Sequence, residues 1–178
     1  MQQDLHELIQ RAKKGKEDAF AKLVTMYKGE VFRHAYAMVN DRMEAEDIAQ
    51  EAFLKAYVSL PRLENEYAFV SWLTRIVTNL CYDRLKKMNK SKIVSSEEEM
   101  LNASSDDMEQ TQTRLTIQEA MQRLSLEHRT VLILKDVQGY SYDEIAAIIH
   151  VPVGTVKSRL NAARMMVRKE LSRGDENA

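Results

Sequence analysis

Apolar residues recur along most of this chain at intervals of three and four, the spacing of one helical face, and this constrains the fold more than any other feature. Phe20, Leu23, Val24, Tyr27, Val31, Ala35 and Met38 predict a helix over 18–38, and Ala45, Ile48, Ala49, Ala52, Phe53, Ala56 and Tyr57 a second over 43–57. After a break at Ser59, Leu60 and Pro61, a third carries Phe69, Trp72, Leu73, Ile76, Val77, Leu80 and Leu85 on its buried side. Together with a short helix over Leu5, Leu8, Ile9 and Ala12, these close one core. Five Gly and two Pro in 178 residues are too few turn formers for a sandwich or barrel. The predicted class is all-α.

Residues 89–110 break the pattern. Asn, Ser, Asp and Glu dominate there, and so little apolar surface does not offset the entropy of ordering the chain. Lys92 is the sole cation of 91–113, against Glu97, Glu98, Glu99, Asp106, Asp107 and Glu109. The expected organisation is two small helical domains, 1–90 and 112–178, joined by an acidic flexible linker over 91–111. The second domain opens with a short helix to Arg123 and continues with a helix over 126–137. Gly139 then stands where a left-handed C-cap is favoured. Ser141 and Glu144 make a capping box for a helix over 142–149. A turn at 150–153 leads to a last helix over 154–172, with Val156, Leu160, Ala163, Val167 and Leu171 on one face. A short capped helix, a tight turn and a longer basic helix are the pattern of a helix-turn-helix.

Several classes of function are disfavoured by composition. No stretch approaches the roughly 20 apolar residues of a membrane span, and the N-terminal segment has no apolar leader core. Cys81 is the one cysteine, so neither an internal disulfide nor a thiolate metal cluster is available. A cytoplasmic protein with no membrane insertion is expected. His6, His34, His128 and His150 lack ligand spacing and no Gly-rich phosphate loop occurs, so neither catalysis nor a metal or other cofactor is expected. The net charge of −1 conceals two basic windows. Arg75, Arg84, Lys86, Lys87, Lys90 and Lys92 face only Asp83, and Lys157, Arg159, Arg164, Arg168, Lys169 and Arg173 face only Glu170. Such windows are the footprint of a polyanion contact, although cations that merely solvate helix ends give the same pattern.

On the last helix, Lys157, Ser158 and Asn161 lie away from the apolar stripe in its first turns. Lys can bond guanine and Asn adenine in the major groove, which makes these the candidate base readers. Arg159, Arg164, Arg168 and Lys169 suit phosphates. On the third helix, Arg75, Asn79, Tyr82 and Lys86 repeat at four, three and four, and so share one edge expected to be exposed. An amide, a ring and cations in one stripe suit a single strand of nucleic acid. A solvated helix edge carries such mixtures as well, and for the residues alone that is the simpler reading. The helix over 43–57 has an acidic and amide outer face, with Glu44, Asp47, Gln50 and Glu51.

Three stretches, EAEDIAQEAFLKAY (44–57), FVSWLTRIVTNLCYDRLKK (69–87) and YSYDEIAAIIHVPVGTVKSRL (140–160), resemble the extracytoplasmic-function sigma factors of bacterial RNA polymerase. The resemblance spans nearly the whole chain. It implies that Glu46, Asp47, Gln50 and Glu51 dock on the coiled coil of the polymerase's largest subunit, with the flap of the second-largest subunit as another contact. It further implies that Arg75, Asn79, Tyr82 and Lys86, with the loop 60–67, capture the melted minus-ten element of promoter DNA. Lys157, Ser158, Arg159, Asn161, Arg164 and Arg168 would engage the minus-thirty-five element, and the linker would thread the RNA-exit path. The implied protein is a non-catalytic specificity subunit, monomeric when free, serving a stress or envelope regulon and controlled by an anti-sigma factor. The residues by themselves leave open a repressor or activator that binds DNA alone as a dimer, and a helical adaptor that touches only proteins.

Overall fold

The computed structural model describes the backbone of residues 2–99 and 117–176 and the side chains of 4–88 and 117–172. Every regular element among them is helical. The first region holds α1 (Gln2–Lys13), α2 (Glu17–Val39), α3 (Arg42–Ser59) and α4 (Phe69–Glu99), and the second α5 (Ile117–Gln122), α6 (Leu126–Leu132), α7 (Tyr142–Ile149) and α8 (Val153–Glu176). α4 runs on through 91–99, within the span expected as linker; no Gly or Pro interrupts the chain from Phe69 to Glu99. The rest of it, 100–111, lies outside the described residues.

Two residues turn α2 into α3. Asn40 takes a left-handed conformation (φ 54°) and donates its N–H to the Tyr36 carbonyl at 2.8 Å, and the Asp41 carboxylate accepts from the Glu44 N–H at 2.9 Å. Asn tolerates the first conformation and Asp caps the second helix. Ala45, Ala52 and Ala56 are buried on α3 beside Ile48, and these small side chains let α2 and α4 come close. The space between is filled by Leu23, Val31 and Met38 from α2 and by Phe69, Leu73, Val77, Leu80 and Cys81 from α4. Burial pushes the Cys81 thiol up to about 12, so it sits in the core as an inert small hydrophobe.

In the second region α6 buries Val131 and Leu132. The helix expected over 126–137 continues from Ile133 to Val137, but its hydrogen bonds widen there to a five-residue spacing, with the Gln138 N–H on the Ile133 carbonyl at 3.0 Å. Gly139 (φ 78°) ends this wide turn as expected. The capping box is complete, with Glu144 N–H to Ser141 Oγ at 3.2 Å and Ser141 N–H to Glu144 Oε2 at 2.8 Å. α7 stops at His150, also left-handed (φ 55°), and α8 lays Val156, Leu160 and Ala163 against α6 and α7. Val167 and Leu171, expected on the same buried face, are only half-buried.

The two regions touch, which the expectation of flexibly joined domains did not include. The end of α2 is clasped by Arg129: its Nη1 donates to the Met38 carbonyl at 2.6 Å, while Nε and Nη2 donate to the carbonyls of Met121, Gln122 and Leu124. Met38 lies in the last turn of α2, where carbonyls lack intrahelical partners and a cation meets the negative end of the helix dipole. Gln118 Nε2 also reaches Asn40 Oδ1 at 3.1 Å. Beside this clasp, Gln138 Nε2 donates to His34 Nδ1, which leaves His34 Nε2–H to face Thr78 Oγ1 at 3.0 Å. Thr78 donates onward to the Thr74 carbonyl at 2.8 Å, and the Thr74 hydroxyl meets the Tyr140 hydroxyl at 2.7 Å.

Candidate nucleic-acid and protein-docking surfaces

Residues whose rotation angle on α8 opposes the Val156–Leu160–Ala163 stripe reach solvent, and Lys157, Ser158, Asn161, Arg164 and Arg168 are all exposed. They do not arrive equally available. The Ser158 hydroxyl donates back to the Thr155 carbonyl of its own helix at 3.1 Å. Arg164 makes a two-pronged pair with Asp136, at 2.9 and 2.5 Å, and this hydrogen bonding raises its pKa. Lys157 stands over the Tyr142 ring at 5.4 Å, with Lys135 over the same ring at 4.8 Å. Arg159 is half-buried and lies near Tyr82 of α4. Asn161 therefore stands forward on a surface that Lys157 and Arg168 flank, a geometry able to present an amide to a base edge and cations to phosphates. Sequence reasoning missed Asp136 as the partner of Arg164, since a separation of 28 positions carries no periodic signal.

The edge proposed on α4 is only partly an edge. Asn79 and Lys86 are exposed and Arg75 is half-buried, but Tyr82 turns toward the second region. It lies against Thr130, with Glu127 and Arg159 nearby, and its pKa is raised chiefly by burial. The expectation of four residues on one free stripe is corrected at this position: the stripe borders a helix from the other region, which no single-helix projection reveals. The preceding loop is held firmly. Lys13 of α1 donates to the Leu63 carbonyl at 2.6 Å and pairs with Glu66 at 2.7 Å, which together with the local backbone bond lowers the Glu66 pKa. Asn65 caps the short turn Glu66–Ala68 through the Tyr67 N–H. Tyr67 is 81% exposed, stacked on His6 with centroids 5.1 Å apart.

On α3, Asp47 and Gln50 are exposed, Glu46 pairs with Arg42 at 3.0 Å, and Glu51 is shared between Lys55 (3.3 Å) and Arg84 (3.8 Å). Arg84 also pairs with Glu44, which ties the acidic strip to α4. Next to Gln50 lies an open apolar groove lined by Phe20 and Val24 of α2 and Phe53, Leu54 and Tyr57 of α3. Leu54 is 69% exposed. It falls outside the stripe assigned to this helix, and an aliphatic side chain out of period was the available signal for the groove. An acidic rim beside apolar relief suits a basic, amphipathic helical partner.

Fold and surfaces define an all-helical protein of two parts, the second a helix-turn-helix. Residues 23–91 match the family described as Sigma-70 region 2 and residues 114–173 that described as Sigma-70, region 4. The ECF RNA polymerase sigma factor SigW of Bacillus subtilis is 36% identical over 96% of this chain and 98% of its own length. The RNA polymerase sigma-H factor of Pseudomonas aeruginosa is 32% identical over 96% and 95%. The chain belongs to the ECF sigma factors of RNA polymerase. Among solved structures, the fold is similar to CnrH in complex with the cytosolic domain of CnrY (TM-score 0.69, 21% identity, 95% of this chain and 97% of that one). It is also similar to RpoE in complex with the anti-sigma factor NepR from Bartonella quintana (TM-score 0.68, 24% identity, 86% and 96%). Among the described residues no helix is long and apolar enough to cross a membrane.

Proposed function

We propose that this chain works as the promoter-specificity subunit of RNA polymerase, with the chemistry left to the polymerase, and that its three surfaces divide the task. The acidic strip of α3, with Glu46, Asp47, Gln50 and Glu51, docks on the coiled coil of the largest polymerase subunit, and the adjoining apolar groove extends that footprint. The flap of the second-largest subunit is the other contact. Arg75, Asn79, Tyr82 and Lys86, with the loop whose outermost ring is Tyr67, take the melted minus-ten element. The exposed face of α8 reads the minus-thirty-five element, with Lys157 and Asn161 as base readers and Arg168 on phosphate. Asn161 carries this reading: an amide on the outward side of a helix-turn-helix's second helix can donate and accept toward one adenine edge. An anti-sigma partner is part of the proposal, supported by the similarity to RpoE in its anti-sigma complex.

The test is reconstitution with core polymerase on genomic DNA, followed by sequencing of the transcripts. Start sites that share two spaced elements are expected only when both chain and core are present. Tight, sequence-specific retardation of duplex DNA by the chain alone at physiological salt would instead establish a repressor or activator.

A further inference from the structure

Helix α1 has no part in the three surfaces assigned above, yet two of its side chains hold the loop 60–67. The loop is anchored in the core through Leu60 and Leu63, and the chain returns to the core at Phe69. Between Leu63 and Phe69 it is fixed by Lys13, whose ammonium donates to the Leu63 carbonyl at 2.6 Å and to Glu66 Oε1 at 2.7 Å. These partners lie 50 and 53 positions further along the chain. The side chains of Lys13 and Glu66 are only 20% and 17% exposed, so water and salt screen the pair little.

What the loop presents is a ring. Tyr67 is 81% exposed, more than any other large apolar or aromatic side chain among the described residues. His6 of α1 stacks on one face of it, with centroids 5.1 Å apart and planes 22° from parallel, which leaves the other face in solvent. Gln10, one turn further along α1, bonds the His6 ring at Nε2 at 3.0 Å and steadies that ring in turn. A free aromatic side chain loses rotamer freedom when a ligand packs on it, and one already stacked on a neighbour loses less. Any base can use such a surface, because every base has a π-face. A base pulled out of a duplex gives up its stacking there and regains part of it on the ring.

We propose that α1 is part of the minus-ten site: His6 and Lys13 are positioning residues that set the loop 60–67 so that Tyr67 offers the open face of its ring to one unpaired base. The proposal rests on the reading of that loop as part of the minus-ten surface. His6 and Lys13 act through Tyr67 and not by touching DNA.

The experiment uses the full chain with core polymerase on promoters recovered by transcript sequencing, with the templates already mismatched at the minus-ten element. It reads the concentration of chain needed for half-maximal promoter complex. Tyr67→Ala should raise this concentration roughly 5- to 150-fold, the range that stacking of a base on a ring spans, while affinity for core polymerase without DNA stays unchanged. His6→Ala and Lys13→Met should each raise it by a smaller factor, roughly 2- to 12-fold, because they loosen the ring without removing it. His6→Phe should restore the wild-type value, since a phenyl ring stacks as well. The His6 and Lys13 substitutions are then repeated on Tyr67→Ala, where each should add nothing. If His6→Ala or Lys13→Met keeps its full effect there, that residue touches DNA or supports the fold, and the positioning role is overturned; failure of His6→Phe to recover overturns it too. Should Lys13→Met not fold, as circular dichroism would show, the His6 substitutions decide alone. A Tyr67→Ala chain that matches wild type overturns the platform. If wild type itself forms no polymerase-dependent complex, the promoter reading has failed and the proposal falls with it, an outcome distinct from the others because in those wild type is active.

Discussion

His34 is held neutral at the seam between the two regions. Burial pushes its imidazole down to about 4 from 6.5, and Glu30 and Arg33 line the cleft beside it. The unfolded chain binds the extra proton between these two values. Stability from this site is therefore complete above about pH 6.5 and is lost as pH falls toward about 4, a change on the order of 3 kcal/mol. Urea midpoints measured from pH 4 to 7 should show this slope, and His34→Gln should flatten it; an identical slope in the variant assigns it to other groups. On α8 a different pair of residues separates two kinds of contact. Asn161→Ala should lower discrimination at one promoter position by about 1–3 kcal/mol, while Arg168→Ala should weaken all promoters alike and reduce the salt slope. Competition among single-base promoter variants checks this, and exchanged effects would show that α8 enters the groove turned about its axis, with Arg168 toward the bases and Asn161 toward the backbone.

Elements in the second region are short, so their ends carry much of their stability. α7 spans Tyr142–Ile149, and its capping box satisfies backbone donors at the first turn while holding the Glu144 carboxyl below its ordinary value, chiefly through the Ser141 backbone bond. Ser141→Ala should cost about 1 kcal/mol in thermal or urea unfolding. Gly139 tests the turn that carries Gln138 and Tyr140, which bond to His34 and Thr74. A Cβ there would meet nothing within 4 Å, yet the φ of 78° is one that L side chains avoid. Gly139→Ala should therefore destabilise by about 1–2 kcal/mol through backbone strain alone. No loss of stability in this variant would mean that the left-handed conformation is not held in solution.

For the whole molecule, charge sets how strongly the free chain can hold DNA. The chain carries a net −1, Arg164 is already paired with Asp136, and Arg159 is half-buried. Affinity for DNA that arises from counterion release scales with the phosphates neutralised, so few available cations mean weak binding and a shallow salt dependence. Free chain should bind a promoter duplex poorly at physiological salt, and core polymerase should supply most of the affinity; fluorescence anisotropy with and without core polymerase checks both statements. Asn79→Ala, on the exposed part of the α4 edge, should leave polymerase binding intact and slow promoter opening. The defect should shrink on a template already mismatched at the minus-ten element, because an unpaired base no longer costs a few kcal/mol to extrude. An equal defect on both templates, with weaker polymerase binding, would make Asn79 a structural residue instead.

The helices, the Gly139 turn, the Ser141–Glu144 box and the helix-turn-helix were legible in the sequence because each depends on neighbours within about one helical turn. Asn161 and Arg168 could be placed on the outer face of α8 for the same reason, once Val156, Leu160 and Ala163 marked its inner side. Periodicity does not encode how one helix sits against another distant in the chain. Only the tertiary structure decided that Arg164 meets Asp136, that Tyr82 faces the second region, that Leu54 borders a groove, and that Arg129 reaches the end of α2. Each of these contacts joins a side chain whose local environment reads as ordinary helix surface to a partner supplied by another element, and burial and hydrogen bonding at such a junction exist only after the helices have packed.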